Sequence, residues 1–104
     1  MLRVDKVDFR DRTRYALTVV EANGRRRPAN VYAFRLHDEF MVVRNTGGDG
    51  LLRKVRYDAV ERIVTAAPVP AGEQLAIPEA MLQASFWADR ESCVAYGSSP
   101  ARGK

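Results

Sequence analysis

Arg25-Arg26-Arg27 carries the clearest chemistry in this chain: three adjacent guanidinium groups just past an Asn23-Gly24 turn. The planar arginine fork pairs with phosphate bidentately and stacks on bases. Arg10, Arg12 and Arg14 form a second cluster in a charged stretch. Such residues contact phosphates and give affinity for RNA or DNA without reading sequence. They also suit a solvated loop that keeps a chain soluble. Tyr57 stands between Arg56 and Asp58 at the end of an alternating stretch, which makes it the aromatic best placed to stack on a base. Tyr32 and Phe34, at period two beside Leu36, read as core. The expected nucleic-acid-binding set is therefore Arg12, Arg14, Arg25, Arg26, Arg27, Arg56 and Tyr57.

Other chemistry is sparse. His37 is the single histidine and sits in a polar turn. Cys93 is the single cysteine, with no histidine near it in sequence to activate it and no second thiol to pair with. No Cys/His cluster is spaced to hold zinc. The Gly47-Gly48-Asp49-Gly50 run lacks the Lys-Ser/Thr of a phosphate-binding loop and reads as a hairpin turn. No catalytic residue, cofactor or metal is expected.

Charge is distributed unevenly. Of the 17 cations, 14 are arginine. Residues 1–66 hold 14 cations against 9 anions, whereas residues 67–104 hold 3 against 4, so the basic character belongs to the first part. The chain has 104 residues, 46% of them hydrophobic, which is one domain with an ordinary core. No apolar run reaches the ~20 residues of a membrane helix. The charged first fourteen residues do not resemble a secretory signal. A cytoplasmic protein is the expectation.

The elements that must position these residues follow from alternation and punctuation. Residues 2–9 alternate partly and suggest an edge strand. Residues 15–21 are rich in β-branched and aromatic side chains and read as a strand. Asn23-Gly24 is a strong hairpin signal. Residues 31–36 place Tyr32, Phe34 and Leu36 on one face and Val31, Ala33 and Arg35 on the other. Residues 40–44 are apolar on both faces, hence central. Residues 51–57 and 61–65 complete five strands, with a single 3₁₀ turn over residues 58–60 between the last two.

At Asn23-Gly24, across 38–46 and across 57–64, the chain resembles the Hfq family of bacterial Sm-like RNA chaperones. The shared features are an Asn-Gly turn, an Asp-x-Phe entry into a hydrophobic strand ending in Asn-Thr, and a tyrosine turn before the last strand. The stretch 34–64 is also similar to WYL domains, through Arg53-Lys54-Val55-Arg56-Tyr57-Asp58 running into Val60-Glu61-Arg62-Ile63. Both resemblances imply a small Sm-like, SH3-like barrel and a bias toward nucleic acid. Neither implies a full ligand site, because the Hfq turn has a lysine and a histidine after its tyrosine and this chain has Asp58 and Ala59.

After a Pro/Gly linker at 67–72, Pro78 and Glu79 suit the start of a helix running to about residue 90. On it Ala80, Met81, Ala84, Trp87 and Ala88 share one side, and Leu82 and Phe86 lie on another. A helix apolar on two sides is sandwiched. Its second surface belongs either to another subunit or a partner, or to the open end of its own barrel. A short strand is expected within 92–96 and a disordered tail over 97–104. The reading is thus a mainly β, five-stranded small barrel with one C-terminal α-helix, one domain over 1–96. Its first function is binding RNA or DNA without catalysis. The second is self-assembly or protein interaction, as a homo-oligomer through Met81, Phe86 and Trp87.

Overall fold

The computed structural model describes residues 4–46, 50–90 and 92–93. The chain is mainly β. Strands β1 (Thr13–Val20), β2 (Arg26–Leu36), β3 (Phe40–Asn45), β4 (Leu52–Arg56) and β5 (Val60–Pro68) are joined by a two-residue β6 (Ser92–Cys93). They form one antiparallel sheet in the order β5-β1-β2-β3-β4-β6. The 3₁₀ turn Tyr57–Ala59 links β4 to β5. Among the described residues β5 borders the sheet, paired to β1 alone, while β4 pairs with β3 and β6. The sheet is therefore not closed into the expected barrel.

Alternation builds the first core. On β1, Thr13, Tyr15, Leu17 and Val19 are all buried and their neighbours are not. Tyr15, Leu17 and Val19 pack with Val31 and Ala33 of β2, Met41 and Val43 of β3, and Tyr57 and Val60. Phe9 reaches in from the N-terminal segment, edge-on to the Tyr15 ring at 5.0 Å. That segment forms the 3₁₀ turn Lys6–Asp8, so the strand expected over residues 2–9 is absent from its described part.

A register shift between Ala33 and Arg35 inserts one residue into β2. An inserted residue inverts every side chain after it. Leu36, expected beside Tyr32 and Phe34, packs instead on the first core. Arg35, expected beside Val31, meets Glu79 through two hydrogen bonds of 2.9 and 3.4 Å. Pro28 lies within β2. Among the described residues β3 pairs with β2 from Val31 onward, and the Thr46 backbone N–H donates to the Asn30 carbonyl at 2.9 Å, so Pro28 lies past the last of these contacts, on an edge where a strand proline is tolerated.

The second core covers the other face of β3 and β4. Val42, Leu52, Met81 and Trp87 form it, with Phe34, Phe40, Ile77 and Phe86 packed around them. The segment that supplies these residues is not the α-helix expected over 78–90. It is two 3₁₀ turns, Glu79–Leu82 and Ala84–Trp87, separated by Gln83 in extended conformation. In a regular helix Met81 and Trp87 would stand at the two margins of their shared side, roughly 120° apart. The break at Gln83 lets both face the sheet, and the Trp87 indole N–H donates to the Met81 carbonyl at 2.7 Å. Met81 and Trp87 are thus committed to their own sheet, and the expectation of a subunit interface built on them is corrected. Phe86 is half-buried, with the Arg90 guanidinium over its ring at 4.0 Å. The expected tail over 97–104 lies outside the described residues.

Trp87 is fully buried. Trp87→Ala should cost about 3–5 kcal/mol of unfolding free energy, and Phe86→Ala clearly less. Equilibrium denaturation in guanidinium chloride checks both.

Candidate functional site

Antiparallel pairing sorts the arginines between the two faces. Directly opposed residues share a face, so the uncovered outer side of β5, β1 and β2 can be read in rows. Arg14 stands between Tyr32 and Ala67; Ala16 between Asn30 and Thr65; Thr18 between Pro28 and Arg62; Val20 opposite Arg26. Arg14, Arg26 and Arg62 are exposed, as are Asn30 and Thr65. Arg14 and the Thr18–Arg62 row are four residues apart, roughly 13 Å along the strand. The Val20–Arg26 row lies roughly 7 Å further on.

The arginine triplet is split by this alternation. Arg25 is exposed at the turn, where its backbone N–H donates to Asn23 Oδ1 at 2.9 Å and Gly24 adopts φ 87°. Arg26 on the outer face donates its Nε–H to Glu61, and this hydrogen bond, together with the glutamate charge, raises its already high pKa. Arg27 falls on the first-core side and donates to Glu21 Oε2 at 2.6 Å. Arg12 sits at φ 54° beside Asp11, 3.8 Å away. Arg56 is clamped by Asp58 at 3.1 and 3.2 Å, with Glu39 at 3.9 Å. Among the described residues, Arg14, Arg25 and Arg62 are cations with no side-chain ion pair.

Tyr57 does not fit the stacking role. Its ring is buried in the first core, 5.6 Å from that of Phe9, and its hydroxyl donates to the His37 carbonyl at 2.7 Å. A strand end followed by a 3₁₀ turn rolls the side chain inward. His37 is a fastener too, with Nε2 2.8 Å from the Leu82 carbonyl. Arg62 is the residue that sequence reasoning passed over. Its signal was the alternation Arg62, Ile63 in the last strand, which already separated an outward cation from an inward apolar residue.

Among the described residues no three His, Cys, Asp or Glu side chains gather to hold a metal. No helix among them is long and apolar enough to cross a membrane. Comparison with protein-family models, with curated proteins and with solved structures found no significant match.

Burial, and after it the charge of Asp38, push the Tyr57 phenol up to about 12. The ordinary value near 10 applies to the unfolded chain. Between these values the folded state keeps a proton that the unfolded state loses, so this contribution to stability is whole below about pH 10 and is lost as pH rises toward 12. Tyr57→Phe should remove that part of the alkaline decline. Denaturation midpoints of both proteins measured from neutral to alkaline pH check it.

Proposed function

We propose that the protein is a non-catalytic nucleic-acid-binding module whose outer sheet face follows a phosphate backbone. The observation that carries this reading is the row of exposed cations, Arg14, Arg62 and Arg26, in register on one uncovered face, with Arg25 at its end. Between them lie small and polar side chains, Ala16, Thr18, Asn30 and Thr65, which let a strand of nucleic acid approach. Glu61 is the acid beside this row, and Arg26 engages it. Arg12, Arg27 and Arg56 take supporting or structural roles because they stand outside this row: Arg12 before β1, Arg27 on the other side of the sheet and Arg56 on β4. We read the architecture as an open relative of the Sm-like, SH3-like barrels. The strand order and the 3₁₀ turn between β4 and β5 support that reading. The setting we assign is the cytoplasm, which fits a chain whose one cysteine has no second to pair with.

A second reading, self-association, is favoured by β5. It is a nine-residue edge strand with Val64 53% exposed. Such an edge is a template for pairing with another copy. Light scattering on a dilution series separates this reading from a monomer of 11.7 kDa.

For every phosphate that the protein no longer neutralises, the slope of log affinity against log salt should fall by about 0.7–0.9. Arg62→Ala and Arg14→Ala should each lower it by that amount in titrations of mixed-sequence RNA and DNA oligonucleotides. Arg27→Ala, on the other side of the sheet, should leave the slope unchanged. Absence of binding to either nucleic acid at low salt would overturn the proposal.

A further inference from the structure

Arg53 occupies an unusual place. It stands opposite Val43 in the β3–β4 register, on the same side of the sheet as Val55, so it projects toward the first core. A cation is rare there unless it is paired. Its Nε is sealed from solvent with no hydrogen-bond partner. It makes no ion pair with any described residue. An unsatisfied buried donor costs free energy that a suitable acceptor would recover.

Arg53 lines a cleft of about 310 Å³ at one end of the first core. Val19, Val31, Val55 and Ala29 line its apolar part, and Arg27 and Glu21 stand at its margin, joined to each other at 2.6 Å. An apolar wall with a few convergent polar groups, at the lower end of ligand-pocket volumes of ~300–1000 Å³, is the usual form of a small-molecule site. We propose that this cleft binds a small organic monocarboxylate, its head on the Arg53 guanidinium and its apolar body against Val19, Val31 and Val55. The planar fork matches a carboxylate. Of the other cations along the cleft, Arg27 is engaged by Glu21, Arg56 by Asp58, and the Lys54 ammonium donates to the Trp87 carbonyl, so Arg53 is left to meet one negative charge, which favours a singly charged head over a doubly charged phosphate. The cleft is independent of the outer face proposed for nucleic acid, and either site can fail without the other.

Benzoate is the probe, followed by two-dimensional NMR of the intact chain. It should produce saturable shifts in the backbone amides of Val19, Val31 and Val55 and in the Arg53 Nε–H signal. Benzyl alcohol, with the same ring and no charge, and phenyl phosphate, with a doubly charged head, should each bind more weakly. Arg53→Gln should weaken benzoate by about tenfold or more, the scale of a missing charge-assisted hydrogen bond. Ala29→Leu, which fills the cleft and keeps Arg53, should also abolish the shifts. Arg62→Ala should leave them intact. The proposal is overturned if benzoate gives no saturable shift at these residues, or if benzyl alcohol or phenyl phosphate binds as well. Undiminished binding to a folded Arg53→Gln protein also overturns it. Should Arg53→Gln fail to fold, the ligand comparison on the wild-type protein and the Ala29→Leu variant decide.

Discussion

Both faces of β3 are dry. Met41, Val42 and Val43 are consecutive and each is wholly buried. Successive strand residues point to opposite faces, so three in a row cannot be buried by one core. This requirement shapes the rest of the fold. β1, β2 and the Tyr57 turn close over Met41 and Val43 on one side. On the other, the segment 77–87 is drawn across the sheet to cover Val42. Trp87 fits that need because it combines a large apolar area with an N–H that the Met81 carbonyl satisfies. Arg35 with Glu79, His37 with Leu82 and Lys54 with the Trp87 carbonyl at 2.8 Å then tie the segment down.

The covering segment stops short, and that leaves the candidate interface. Leu75 donates its backbone N–H to the Tyr32 hydroxyl at 3.4 Å, near where the cover begins. Beyond it the outer side of β1, β5 and the first half of β2 carries small, polar and cationic residues, among which Val20 and Val64 are the exposed large apolar ones. One sheet thus serves two purposes. The half whose outer side is apolar is sealed, and the half whose outer side is polar meets solvent. The split follows composition along β2, where Tyr32 and Phe34 give way toward the N-terminus to Asn30, Pro28 and Arg26 on the same side.

The strands were legible because their alternation is strong. Tyr15, Leu17 and Val19 on β1 and the apolar run of β3 announce both their burial and their period. The bulge at Ala33–Arg35 was not legible, since nothing in Ala-Phe-Arg marks an inserted residue and no glycine stands there. That one insertion reversed Arg35 and Leu36. The segment 79–87 misled for a different reason. Its local pattern suits a helix, but Met81 and Trp87 gain more by facing one sheet together than by regular hydrogen bonding. For the candidate site, the arginine triplet reads as one cluster in the sequence, while strand alternation divides its members between faces. Tyr57 looked exposed because charged neighbours flank it. Arg62 was overlooked because it stands alone, and only pairing across β1 brings it into line with Arg14 and Arg26.

The pairing of β1 with β5 has a consequence in time as well as in space. Val19 meets Val60 and Thr13 meets Pro68, so strands far apart in the chain must find each other. The hairpins β1–β2, β2–β3 and β3–β4 join consecutive strands and close short loops at small entropic cost. The β1–β5 ladder can form only after the intervening chain has been gathered, and such non-local pairing slows folding. During synthesis, the outer edge of β1 remains unpaired until Pro68 has emerged, and the second face of β3 stays wet until Trp87 follows. A nascent chain therefore passes through a stage in which an open strand edge and an uncovered apolar face coexist, the pair of features that makes partly folded β proteins prone to aggregate.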